Sequence, residues 1–155
     1  MTTSPNKRRE ISPEALYEKA VVYLLKMPKT EQQLRRWYAQ KTFDQALIEE
    51  QIARLKDHNL LDDVAYANTY VQCKKDKMGL GLIKNKLRVN GVAPAIIEQA
   101  ITAVADQREL LVQNAEKYLR NKERTPAVKA KLLRWLLAKG FDYDQCGEVI
   151  DECWH

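Results

Sequence analysis

The chain has 155 residues, 45% hydrophobic and 30% charged, and its 26 basic against 21 acidic residues leave a net charge of +5. That balance suits one domain or a few small modules sharing packing surfaces. It is too apolar for full disorder, and no stretch nears the roughly 18 uninterrupted apolar residues of a membrane helix. Five glycines and five prolines give little turn punctuation, three scattered cysteines make no disulfide framework, and Met1–Ser12 lacks a secretory signal's apolar stretch; a soluble, cytoplasmic, all-α protein is expected.

In chain order, residues 1–12 read as a flexible basic tail. Ser12-Pro13-Glu14 then gives an N-cap, a first-turn proline and a first-turn acid. Leu16, Tyr17, Ala20, Val21 and Leu24 make an apolar stripe at helical spacing, ended by Pro28. Thr30-Glu31-Gln32-Gln33 has capping-box spacing and opens a second helix that buries Leu34, Trp37 and Tyr38. Asp44 caps a third helix with Leu47, Ile48, Ile52 and Leu55 inward. Asp62-Asp63 opens the next helix, with Tyr66, Ala67, Tyr70 and Val71 facing its core. A helix with Ile83 and Leu87 stops at Gly91, and Pro94 starts one with Ile97, Ile101 and Val104. The last third repeats the scheme with Leu111, Tyr118, Leu119, Leu132, Leu136, Phe141 and Ile150.

The scheme has a period of 49. Tyr38–Phe43, Leu87–Val92 and Leu136–Phe141 are apolar pairs with four residues between, and Thr42, Gly91 and Gly140 fall at the helix stops. Leu34, Ile83 and Leu132 share a phase, as do Ile48, Ile97 and Cys146. Tyr17 falls on Tyr66 and Val22 on Val71 without a gap. The expected architecture is three tandem three-helix, helix-turn-helix-like repeats at 13–61, 62–110 and 111–155, in an elongated and curved body.

Catalytic chemistry has no good candidates. His58 sits at a helix end, where positive charge is favourable, and His155 is terminal. Cys73 and Cys146 occupy core-like phases, and without paired Cys-x-x-Cys and histidine spacing the thiols read as buried rather than zinc-bound. Gly79-Leu80-Gly81 begins like a dinucleotide fingerprint, but Lys84 stands where its third glycine belongs and no strand precedes it. Trp37 and Trp135, 98 residues apart, suit base stacking, though packing between helices is the commoner use. No enzyme activity, cofactor or metal is expected.

Charge is uneven. Lys74 to Arg88 holds six basic residues and one acid, and Lys117 to Lys139 holds eight against Glu123 alone. A basic face for a polyanion or an acidic protein surface is expected from Lys26, Arg35, Arg36, Lys74, Lys75, Lys77, Lys84, Lys86, Arg88, Arg124, Lys131 and Arg134. Lys26, Lys75 and Arg124 share a repeat phase, as do Arg35 with Lys84 and Arg36 with Arg134. From residues alone, a helix-turn-helix DNA-binding protein ranks first, although the second helices carry mainly lysine and arginine and Asn85 and Asn90 are the only obvious base readers of the central repeat. A helical-repeat protein–protein adaptor is the other alternative.

Leu60-Leu61-Asp62-Asp63-Val64-Ala65-Tyr66-Ala67 resembles the central motif of the RecX family of recombination regulators. The glycine, isoleucine and leucine spacing of Gly79-Leu80-Gly81-Leu82-Ile83-Lys84-Asn85-Lys86-Leu87, followed by Gly91-Val92, is similar to that family, as is the opening Thr30-Glu31-Gln32-Gln33-Leu34-Arg35-Arg36. Leu80 and Leu82 stand where members often carry a proline and a basic residue, and Lys77 where a glycine is frequent. The likeness spans about residues 14 to 151. It implies three tandem three-helix units in a non-enzymatic, monomeric regulator of homologous recombination and DNA repair. Such proteins bind the RecA recombinase and the RecA–single-stranded-DNA filament, with weak direct DNA binding as a secondary expectation. They inhibit its ATPase, strand-exchange and coprotease activities.

Overall fold

The computed structural model describes residues 11–154, and among these the fold is all-α. The helices are α1 (Pro13–Lys26), α2 (Glu31–Ala39), α3 (Gln45–Asp57), α4 (Asp63–Lys74), α5 (Leu80–Val89), α6 (Pro94–Thr102), α7 (Arg108–Leu119), α8 (Pro126–Ala138) and α9 (Tyr143–Cys153). Of the tail expected at 1–12, all but Ile11 and Ser12 lies outside the described residues, as does His155.

Local side chains set the helix ends. Hydroxyl or carboxylate oxygens of Ser12, Thr30, Asp44, Thr125 and Asp142 accept from amides three residues on, and Asp62 does the same for Ala65. Thr30 and Gln33 complete the capping box. Gly91 and Gly140 adopt φ of +91° and +94°, the left-handed turn that ends a helix at least cost when no Cβ is present.

The chain forms two compact units: residues up to Tyr66 with Asn90–Ala93, and Ala67–Val89 with Pro94 onward. The first has a core of Leu16, Tyr17, Ala20, Leu24, Leu34, Tyr38, Ile48, Ile52, Leu55 and Leu61. The second is centred on Leu111, Ala115, Leu119, Leu132, Leu136, Phe141, Cys146, Val149 and Ile150. Tyr17 donates or accepts a 3.0 Å hydrogen bond with Nδ1 of His58, the C-cap residue of α3.

The period of 49 holds for the buried phase of the second and third helices, although α8 starts at Pro126, 46 residues after Leu80. Starts fall at Glu31 and Leu80, and at Gln45, Pro94 and Tyr143; Leu34, Ile83 and Leu132 are all fully buried. The first helices depart from it. Buried Leu16 and Ala20 correspond to Ala67 and Val71, an offset of 51, and these to Ala115 and Leu119, an offset of 48. Val22 is therefore exposed where Val71 is buried, and Cys73 lies on the surface rather than in a core. The reason is that α3 has 13 residues and α6 only 9, so each following helix restarts in a new phase. Phe43 is 52% exposed, unlike its repeat equivalents Val92 and Phe141. Thr42 replaces glycine at that stop, and a β-branched residue resists the left-handed turn that steers the other two inward.

Tyr38 is 0% exposed and its hydroxyl has no protein hydrogen-bond partner among the described residues; burial pushes its phenol well above the ordinary range. Leucines fill the same phase at 87 and 136. Tyr38→Phe should thus leave stability unchanged or raise it by up to about 1 kcal/mol, since an unpaired buried hydroxyl carries an uncompensated desolvation cost. Urea unfolding measures this; a loss beyond about 1 kcal/mol would reveal a partner for the hydroxyl.

Candidate functional site

The glycine loop is a joint rather than a ligand cradle. In the second unit the Gly79 amide donates to the Lys139 carbonyl (2.8 Å) and the Gly81 amide to the Gly140 carbonyl (2.9 Å). A Cβ on Gly79 would strike the Gly140 and Phe141 backbone, and one on Gly81 would lie 2.8 Å from the Gly140 oxygen. The Leu80 amide donates to Oε1 of Gln107 (2.9 Å), whose amide nitrogen donates to the Lys75 and Met78 carbonyls. The amide a phosphate would seek at this helix start is already taken.

The first unit contains the same joint 49 residues earlier. The Thr30 hydroxyl donates to the Asn90 carbonyl (2.6 Å), and Gln32 packs where a Cβ on Gly91 would fall. The Glu31 amide donates to Oδ1 of Asp63 (2.9 Å). Burial raises the Asp63 carboxyl, partly opposed by that amide. In both, residues beyond the repeat's third helix reach back to the start of its second helix.

The basic residues fall into two groups. Some are neutralised within the fold. Arg35 reaches Glu31 (3.0 Å) and grips both carboxylate oxygens of Glu49, which drives its guanidinium pKa upward. Lys56 lies 2.5 Å from Glu31 and, with Arg35, holds that carboxyl below its ordinary range; Arg35 does the same to Glu49. Lys84 pairs with Glu98 at 2.5 Å. Arg35–Glu49 and Lys84–Glu98 are repeat equivalents, while Leu133 and Gly147 stand at those phases in the third repeat. Arg124 folds back to donate to the Leu119 and Lys122 carbonyls.

Others are turned to solvent. Arg36 on α2, Lys86 and Arg88 on α5, and Lys131 and Arg134 on α8 are exposed, as are Lys26 and Lys77 at helix ends. Arg88 donates to Asn85 on its own helix (2.7 Å). Lys74 and Lys75 are partly buried, Lys74 with its ammonium 6.0 Å from the Tyr70 ring centre. Lys26, Lys75 and Arg124 do not occupy like places: one is in the last turn of α1, one just beyond α4, one in the loop before α8. The shifted first helices account for this.

Two thiols are held in the unreactive protonated form: burial pushes Cys146 up to about 11 and raises Cys153 as well. Among the described residues no three histidine, cysteine or carboxylate groups gather as a metal site, and no helix is long and apolar enough to cross a membrane.

Residues 105–150 match the family model for the third three-helix domain of RecX. The chain is 32% identical over 141 residues to the regulatory protein RecX of Clostridium botulinum (strain Alaska E43 / Type E3), covering 87% of this chain and 66% of that protein. It belongs to the RecX family. The RecX of Clostridium perfringens (strain 13 / Type A) is 34% identical over 128 residues, 79% of this chain and 60% of its own length. This chain thus spans slightly under two thirds of these curated relatives. The crystal structure of RecX from Lactobacillus salivarius superposes with a TM-score of 0.80 at 28% identity, covering 90% of this chain and 95% of that one. Both relatives are named as regulatory proteins.

Proposed function

We propose that this protein is a non-enzymatic, monomeric, cytoplasmic regulator of homologous recombination and DNA repair. It binds the RecA recombinase in the filament formed on single-stranded DNA and inhibits ATP hydrolysis, strand exchange and coprotease action. The observation carrying this reading is the likeness to solved RecX along 90% of the chain, not in one motif. Exposed Arg36, Lys86, Arg88, Lys131 and Arg134 supply positive charge for acidic loops or DNA phosphates. Within it we assign residues 13–61, 62–110 and 111–155 as the three repeats.

The test is a binding titration against bare single-stranded DNA, free RecA and the assembled filament. The filament should be bound most tightly. Tighter binding to a bare duplex would instead favour a helix-turn-helix DNA-binding protein.

A further inference from the structure

Two clusters of aromatic and lysine side chains, one in each unit, take no part in the joints or ion pairs above. In the first unit, Tyr23 and Trp37 stack with ring centres 5.3 Å apart and planes 17° from parallel. Lys29 lies over the Tyr23 ring (5.2 Å) and Lys41 over Trp37 (5.6 Å). In the second unit, Tyr118 and Trp135 pack at 5.1 Å, with Lys122 over Tyr118 (3.8 Å) and Lys139 over Trp135 (4.7 Å). All four rings are partly exposed.

The tryptophans and their lysines are repeat equivalents: Trp37 and Lys41 recur 98 residues on as Trp135 and Lys139. The tyrosines come from first helices whose phase has drifted, yet the same pair is rebuilt. The central repeat has Lys86 and Asn90 at these phases, and Asn90 spends its amide on the Tyr66 hydroxyl (3.0 Å). Packing alone does not require a lysine at each tryptophan, because the buried neighbours already fill the core. An aromatic face flanked by two ammonium groups has the chemistry of a nucleotide subsite: a base stacks on the ring while the lysines move to adjacent phosphates.

We infer that Tyr23–Trp37 with Lys29 and Lys41, and Tyr118–Trp135 with Lys122 and Lys139, are two stacking subsites for single-stranded nucleic acid. This rests on the filament reading for the choice of nucleic acid over other polyanions. A paired duplex hides its base faces, so single strands are the preferred form.

The experiment follows a fluorescent oligothymidylate by anisotropy with the full chain and no recombinase present, against a hairpin duplex of equal charge. The oligothymidylate should bind more tightly than the hairpin. Trp37→Leu with Trp135→Leu should weaken it about fivefold or more. Lys41→Gln with Lys139→Gln, substitutions at partly exposed positions that keep both rings, should weaken it too and flatten the salt dependence by about one unit of slope. This second variant decides the matter should the first fail to fold. Preference for the duplex, or a lysine variant that binds and responds to salt as its parent does, overturns the inference. Because no RecA is present, such a result leaves the filament reading standing. Loss of RecA inhibition with oligothymidylate binding intact would do the reverse.

Discussion

Leu136→Ala should lower stability by about 2–5 kcal/mol, the range for a fully buried leucine whose site cannot collapse. Leu136 is 0% exposed on the inner face of α8, within a core shared with Leu132, Phe141 and Ile150. Two helices and the Gly140 turn fix its surroundings, so removal of its side chain leaves a cavity as well as a loss of apolar burial. Urea or thermal unfolding measures the effect. A loss below about 1 kcal/mol would mean that the core phase assigned to positions 38, 87 and 136 is wrong.

Gly140→Ala should be comparably damaging for a different reason. At φ +94° an L side chain is strained by about 1–2 kcal/mol before any contact is counted. Its Cβ would also collide with the Leu82 amide and side chain and sit 2.8 Å from the Gly79 carbonyl oxygen. None of these neighbours is the loose end of a flexible chain, so relief requires the joint to open. Opening breaks the bonds from Gly79 and Gly81 to the Lys139 and Gly140 carbonyls. The expected total is roughly 3 kcal/mol or more, with hydrogen exchange rising first at Gly79, Gly81 and Leu82. Wild-type stability in this variant would show that the joint adds nothing to the second unit.

The same joint marks how far sequence reasoning reaches. Helix starts were legible because Ser12, Thr30, Asp44 and Asp62 accept from amides three residues on, and Pro94 has the fixed φ that suits a first turn. The phase of second and third helices was legible because the turn between them leaves little freedom in length. The first helices follow third helices of unequal length, 13 residues in α3 and 9 in α6, so a count of 49 misplaces Val22 and Cys73. Ion pairing was harder to see. Arg35, Lys84, Glu49 and Glu98 stand at matching phases, but only the packing of α2 on α3 and of α5 on α6 shows that these charges face each other. Gln107 illustrates the limit: nothing in its neighbours marks it as the cap of α5, 27 residues earlier.

The most direct test of the account is the rate of ATP hydrolysis by RecA on single-stranded DNA as the protein is added, at two salt concentrations. A parallel curve uses Lys77→Ala with Lys86→Ala and Arg88→Ala. Inhibition should saturate for the parent and weaken as salt rises. The triple variant should melt within about 1 kcal/mol of the parent, because exposed charges add little to stability. It should inhibit several-fold less well and respond less to salt, since fewer basic contacts release fewer ions. A folded parent protein that leaves RecA's ATP hydrolysis unchanged at every concentration would contradict the account.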